Sequence, residues 1–378
     1  MARNTDSSRR LKGYYGFSKK YPSRRGERPI HESRRTKRRE RTKLIVFCVA
    51  LCCLFVSTFI VAKVCHTLST RPLPGDNLTE QQSAVTVDSL NSLRAIYIEN
   101  SVLDNTADFD AALKSASENG FNAIMLDFKT QEGILTYNSK LISYSGSTQY
   151  NEINQTVINK IKNEGFIIVA RIFCFEDTVA PQRLNAYVYE DVEKTKIWLD
   201  DSAINNGKVW LDPTNSKATS YLNKVIAEVV KNGADCVYLE SVQFPVSRDG
   251  AIPVYTEDDT TLNRSLVLMD FLGDVVKSAN GRPVILGTPI EGVENGDSEK
   301  WGGTLFDTPA HMCSPILQQP DSGDYVSFIE NNYIVLNGKA SNNFSTMKVV
   351  PTVKIQPENT EFYKKLSSSK AESYIIIP

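Results

Sequence analysis

Short apolar runs and stretches of helical periodicity alternate along most of the chain. Leu93–Glu99 (LRAIYIE) reads as a strand. Asp108–Asn119 places Phe109, Ala112, Leu113 and Ala116 at helical spacing, and Gly120 stands where such a helix closes. Asn122–Phe128 (NAIMLDF) is a second strand. Asn151–Asn163 predicts a helix with Ile153, Val157, Ile158 and Ile161 on one face, and Phe166–Phe173 (FIIVARIF) a third strand. Residues 174–216 show neither period. Lys217–Lys231 predicts a helix, Cys236–Glu240 (CVYLE) a fourth strand, Thr261–Ala279 a helix and Pro283–Gly287 a fifth strand. The pattern then weakens. A sixth strand falls within Pro309–Ile316, a seventh within Val349–Lys354 and an eighth at Ser373–Ile377. Eight strands with helices between them, over about 285 residues, predict an α/β fold, a (β/α)8 TIM barrel over 93–378. An open doubly wound sheet is the alternative, but no Gly-rich phosphate loop follows the first strand.

One apolar stretch has no period. Leu44–Ala62 reads LIVFCVALCCLFVSTFIVA, 19 residues without a charge. At about 1.5 Å per residue it spans roughly 28 Å, the thickness of a bilayer's hydrocarbon core. Arg38, Arg39, Arg41 and Lys43 precede it, and only Lys63 and His66 follow closely. This bias predicts an uncleaved signal anchor at 44–66 with the N-terminus in the cytoplasm and the C-terminal body outside the cell.

Charge sharpens that division. The formal net charge is −1, yet residues 1–43 hold 16 Lys/Arg and 4 Asp/Glu, a net of +12, which leaves −13 for 44–378. The expected organisation is a disordered basic cytoplasmic tail (1–43), the transmembrane anchor (44–66), a polar stalk (67–92) and the barrel (93–378). The tail suits anionic lipid, and no fold accompanies its charge to argue for nucleic acid. With 41% hydrophobic residues the body has the material for a large core. Cys174, Cys236 and Cys313 form no CxxC pair, and the chain has three His. No metal site and no cofactor is expected.

Four segments of the body carry a family likeness: GFNAIMLDFKTQEGILTY (Gly120–Tyr137), IIVARIFCFEDTVAP (Ile167–Pro181), KVWLDPTN (Lys208–Asn215) and GADCVYLESVQFP (Gly233–Pro245). In order and spacing the series resembles the bacterial putative glycosyl hydrolase domain family, a TIM barrel distantly similar to the α-amylase clan. The resemblance implies a glycoside hydrolase that acts on a cell-surface or cell-wall polysaccharide. Family members usually carry an Asp, an aromatic and an Arg where this chain has Glu240, Ser241 and Gln243. The late segments are MCSPIL (Met312–Leu317) and PTVKIQ (Pro351–Gln356), without the family's usual aromatic signatures. The departures at Ser241, Gln243, Thr352 and Lys354 support the alternative of a degenerate barrel that binds glycan or organises the envelope.

Residues at strand C-termini face the active-site mouth of such a barrel. Glycoside hydrolysis needs two carboxylates, one to protonate the leaving oxygen and one to attack or activate water. The catalytic candidates are Asp127, Glu240 and Glu291. The resemblance to the α-amylase clan, with carboxylates after strands four and five, implies Glu240 as nucleophile and Glu291 as acid, with Asp127 stabilising developing positive charge or replacing one of them. Alternation puts Asp127 with Ala123 and Met125, and Glu240 with Cys236 and Tyr238, so both carboxylates should point into one cleft. Each equally suits a structural ion pair with Arg171 or Lys129. The substrate-binding candidates are Lys129, Arg171, Asp177, Trp210, Gln243 and His311. Trp198 and Trp301 are further aromatics that either stack on sugars or fill the core.

Overall fold

The computed structural model describes Val85, Thr86 and residues 90–378, apart from 147–152, 249, 258–261, 295, 306–307, 319–323, 343–346 and 356–359. The expected tail, anchor and most of the stalk lie outside the described residues. Among the described residues, no helix is long and apolar enough to cross a membrane.

Among the described residues, nine strands form one closed parallel sheet. They are β1 (Arg94–Tyr97), β2 (Ala123–Lys129), β3 (Ile167–Phe173), β4 (Cys236–Glu240), β5 (Val284–Pro289), β6 (Met312–Gln318), β7 (Lys348–Val349), β8 (Thr352–Lys354) and β9 (Tyr374–Ile377). β1 pairs with β2 on one side and β9 on the other, and the β5–β6 and β8–β9 pairings complete the ring. β7 and β8 both pair with β6 and occupy one strand position, interrupted at Val350–Pro351. Pro351 has no N–H to give to a ladder, so the strand breaks there. The result is eight strand positions, a barrel with helices around it.

The helices are α1 (Thr106–Glu118), α2 (Gln155–Asn163), α3 (Ala180–Leu184), α4 (Ser216–Lys231), α5 (Arg264–Ser278), α6 (Ile290–Glu294), α7 (Tyr325–Asn342) and α8 (Thr360–Ser367). Four of them start on an asparagine whose side chain accepts from a first-turn amide: Asn105, Asn154, Asn215 and Asn263. α7 fills the stretch where the sequence pattern is weakest.

Side chains alternate between two cores. Ala123, Met125, Val169, Cys236, Tyr238 and Ile285 fill the lumen. Ile124, Leu126, Ile168, Ala170, Val237 and Leu239 face the helices. Higher in the lumen the packing turns polar: the Tyr238 hydroxyl lies 3.1 Å from Thr352 Oγ1, which lies 2.7 Å from Ser314 Oγ. Gly287 makes room for this layer, since a Cβ there would stand 2.3 Å from the Tyr238 hydroxyl oxygen. Thr352, one of the departures from the family pattern, is therefore a lumen packing residue.

The irregular stretch leaves the C-terminal end of β3 and runs to α4. It contains α3 and folds through bridges such as Glu176–Trp210 and Tyr187–Leu211, and Tyr189 joins it to Val254 of the β4–α5 connection. Asp212 of the KVWLDPTN segment pins the two together. Its carboxylate accepts from the backbone N–H of Thr214 at 2.8 Å and of Thr256 at 2.6 Å. Burial pushes its carboxyl up from the ordinary value, against those hydrogen bonds.

Candidate active site

Glu240 and Asp127 both occupy the C-terminal mouth of the barrel, where parallel strands end and the βα connections begin. Arg171 of β3 lies between them. Its guanidinium grips Asp127 with two nitrogens: Nε on Oδ1, and Nη2 on Oδ2 at 2.9 Å. Its Nη1 lies 3.8 Å from Glu240 Oε2. Tyr97, at the end of β1, donates to Asp127 Oδ2 at 2.9 Å and lays its ring 4.4 Å from the guanidinium carbon. Lys354, at the end of β8, brings Nζ to 3.7 Å from Glu240 Oε1. The resulting line of charge runs Asp127, Arg171, Glu240, Lys354 across the mouth.

The two carboxylates open into separate cavities. Glu240 lines one of about 580 Å³ together with Glu176, Ser241, Gln243, Glu291, Trp301 and Lys354, among others. Asp127 lines one of about 200 Å³ with Tyr97, Glu99, Gln131, Glu132 and Arg171, among others. Against the expectation of a single shared cleft, the two carboxylates meet at Arg171 but line different cavities. Glu291 sits on α6 at the exposed rim of the larger cavity, and Gln243 is half-buried in its wall.

The electrostatics of the pair differ. Burial pushes the Glu240 carboxyl above its ordinary value; Arg171 and Lys354 pull the other way without cancelling it, and Asp127 and Glu176 add to the rise. Glu240 Oε2 is buried without a hydrogen-bond partner. For Arg171, burial disfavours the charge, but the hydrogen bonds and charge of Asp127 hold the guanidinium well above its usual value. Burial and the neighbouring Asp127 raise the Tyr97 phenol. A buried carboxyl raised above its ordinary value beside a ligand-sized cavity is the arrangement a general acid uses.

Four expected sugar contacts lie elsewhere. Lys129 is fully buried, 2.8 Å from Asp177 Oδ2, and donates to the Phe173 carbonyl at 2.7 Å. Strict alternation would aim it into the lumen, but the β2–β3 register shifts between Asp127 and Lys129. That bulge turns Lys129 toward the outer layer. Asp177, its partner, also accepts from Val179 and Ala180 N–H groups at 2.8 and 2.7 Å, just before and at the start of α3. Gly133 packs so close that a Cβ would stand 2.1 Å from Asp177 Oδ1. Trp210 is buried under the β3–α4 connection, with its indole N–H 3.3 Å from Asp200 Oδ2. His311 precedes β6, at the N-terminal end of the barrel. Its Nδ1 accepts from Val284 N–H at 3.1 Å, and burial lowers its pKa. None of these four side chains lines either cavity.

The sequence reading missed Tyr97 and the constructive part of Lys354. Tyr97 shares the lumen face of its strand, a signal available from alternation. Lys354 counts as a departure from the family pattern, yet it supplies the cation beside Glu240. Glu176 accepts from Ser241 Oγ at 2.8 Å and from Gln131. Ser241 itself adopts a left-handed backbone (φ 56°) directly after Glu240, a conformation costly for a non-glycine residue and frequent at functional sites.

Residues 95–300 match the family described as "Putative glycosyl hydrolase domain". No curated protein matches the sequence significantly. Among solved structures, the chain is similar to the catalytic domain of β-amylase from Paenibacillus polymyxa at 10% identity (76% of this chain, 92% of that one, TM-score 0.44). It is similar to the endo-1,4-β-mannanase of Rhizomucor miehei at 8% identity (79% and 87%, TM-score 0.47). A hypothetical protein from Ruminiclostridium thermocellum ATCC 27405 is similar at 19% identity (50% and 96%, TM-score 0.44). Likeness at these levels concerns chain path and says nothing of substrate. The family match covers more than half of the chain and includes the strands that carry Asp127, Arg171 and Glu240: the chain belongs to the putative glycosyl hydrolase domain family.

Proposed function

We propose that the protein is a membrane-anchored glycoside hydrolase whose barrel acts on a cell-surface or cell-wall polysaccharide outside the cell. The single observation that carries the catalytic part is Glu240: a buried carboxyl, raised above its ordinary value by that burial, in the wall of a cavity of about 580 Å³, with one oxygen left without a hydrogen bond. In this reading Glu240 protonates the glycosidic oxygen as the bond to the anomeric carbon breaks. Glu291, exposed on the rim of the same cavity, attacks that carbon or activates water. The two roles are exchanged relative to those the family resemblance implies, because burial raises the Glu240 carboxyl above its ordinary value, as a general acid needs. Asp127 acts through Arg171, which it orients beside Glu240.

The anchoring part rests on the uncharged run Leu44–Ala62 and its basic flank. It orders the chain as cytoplasmic tail (1–43), anchor (44–66), stalk (67–92) and external barrel (93–378). A second reading, a barrel that binds glycan without cleaving it, is favoured by one observation. Both oxygens of Asp127 are already engaged by Arg171, and Oδ2 also by Tyr97. The two readings separate in a screen for reducing-end release from polysaccharides by the full chain in detergent micelles. Release that is lost in Glu240→Gln supports the hydrolase. Retention of a polysaccharide without release supports the binding barrel.

A further inference from the structure

The mouth of the barrel carries more carboxylates than it neutralises. Glu176, Glu240 and Glu291 line the larger cavity against one cation, Lys354. Glu99, Asp127 and Glu132 line the smaller against Arg171. Both cations are committed, Arg171 to Asp127 and Glu240, and Lys354 to Glu240. Glu99, Glu132, Glu176 and Glu291 form no ion pair with another described residue. Glu99, Glu132 and Glu291 are exposed, so their charges are free to meet a ligand.

A second observation shows that the larger cavity is built for a polar ligand. Two of its lining side chains are almost wholly buried and hold atoms with no hydrogen-bond partner: Glu240 Oε2, on a residue 8% exposed, and Thr288 Oγ1, on a residue 2% exposed. Buried polar atoms are nearly always satisfied in a folded protein, so one left over beside a cavity calls for a partner from outside the chain.

We propose that the site takes a cationic glycan: a polysaccharide of amino sugars with free, de-N-acetylated ammonium groups. An ammonium donates hydrogen bonds and brings the positive charge that Glu99, Glu132 and Glu291 lack. A neutral sugar brings only the donors, and a uronic acid would be repelled. The net charge of −13 over residues 44–378 works in the same direction, by drawing a polycation toward the mouth. The proposal rests on the reading of the mouth as a glycan site and names its substrate class.

The test is isothermal titration of the full-length chain, in neutral detergent micelles, with three hexamers: glucosamine, N-acetylglucosamine and glucose. The glucosamine hexamer is expected to bind at least about tenfold more tightly than either other, with an advantage that shrinks severalfold as salt is raised, since exposed charges are screened. Glu99→Gln and Glu132→Gln are each expected to weaken that hexamer about threefold or more, and to leave the glucose hexamer within about twofold. Equal or tighter binding of either uncharged hexamer, or absence of glucosamine binding, overturns the proposal. So does glucosamine binding indifferent to both substitutions, which would mark general attraction to an acidic surface. Failure is distinguishable from failure of the functional reading. If an uncharged glycan is bound or cleaved while the amino-sugar hexamer is not, only the cationic preference falls. If no glycan of any charge is bound or cleaved, the glycan site falls with it.

Discussion

Lys129→Met is expected to destabilise the barrel strongly and leave glycan binding intact. Lys129 Nζ lies 2.8 Å from Asp177 Oδ2, and both side chains are 0% exposed. At that separation and an effective dielectric of about 20 the attraction is about 6 kcal/mol, most of it offset by the desolvation of both charges. Breaking such a pair from one side costs more than the pair contributes, because the remaining charge has nowhere to go. In the variant Asp177 keeps the Val179 and Ala180 N–H groups but loses its cation. The expected loss is about 3–5 kcal/mol. For a body of about 290 residues the unfolding entropy is about 0.6 kcal/mol/K, so a loss of 4 kcal/mol lowers Tm by about 6–7 °C. Methionine occupies nearly the volume of the lysine stem, which keeps a cavity from contributing. Urea unfolding followed by tryptophan fluorescence measures the loss, and Asp177→Asn in the same chain should recover most of it by removing the stranded charge. A loss below about 1 kcal/mol, or a double variant no more stable than the single one, refutes the reasoning. A selective loss of glycan affinity at unchanged stability would instead return Lys129 to the substrate.

Three further outcomes are expected. The Glu240 carboxyl is raised in the folded state by burial, so it binds its proton more tightly folded than unfolded. Its stabilising contribution is full below the ordinary glutamate value and is lost as pH rises through the folded value. Glu240→Gln should therefore gain stability relative to the parent as pH rises from about 4 toward neutrality; a difference that stays flat across this range contradicts the burial argument. Gly287→Ala should cost about 1–3 kcal/mol by thermal unfolding, since the new Cβ would meet the Tyr238 hydroxyl; a neutral substitution would show that the lumen layer yields freely. Protease added to intact cells should digest residues 93–378 and spare 1–43, and protection of the barrel would end the proposed topology.

Much of the fold was legible because parallel barrel strands are buried on both faces. NAIMLDF and FIIVARIF are continuous apolar runs for that reason, and the helices between them keep their own period and end on glycine. Alternation also placed Asp127 and Glu240 on the lumen face, since the pleat of β2 and β4 is regular up to those residues. What alternation cannot carry is a change of register. The shift after Asp127 reverses the side of Lys129, and nothing in DFKT announces it. Residues 174–215 lack periodicity, so the burial of Trp210 depends on the bridges and the Asp200 contact that fold this connection. His311 was placed beside a strand without knowledge of where that strand begins; because β6 starts at Met312, the imidazole belongs to the opposite end of the barrel. The window Val349–Lys354 was read as one strand; the break at Pro351 and the approach of the β8 end to Glu240 are long-range features that no local pattern carries.

The central claim is that Glu240 gives a proton to the departing sugar oxygen. The most direct measurement compares the parent and Glu240→Gln on two substrates: the polysaccharide the protein cleaves, and an aryl glycoside of the same sugar whose phenolate leaves without protonation. The account predicts a fall in kcat of about 10²–10⁴ on the polysaccharide, the usual worth of a general acid, and turnover of the aryl glycoside within about tenfold of the parent. An equal, large loss on both substrates would make Glu240 the attacking group instead. Undiminished cleavage of the polysaccharide would remove Glu240 from the chemistry altogether.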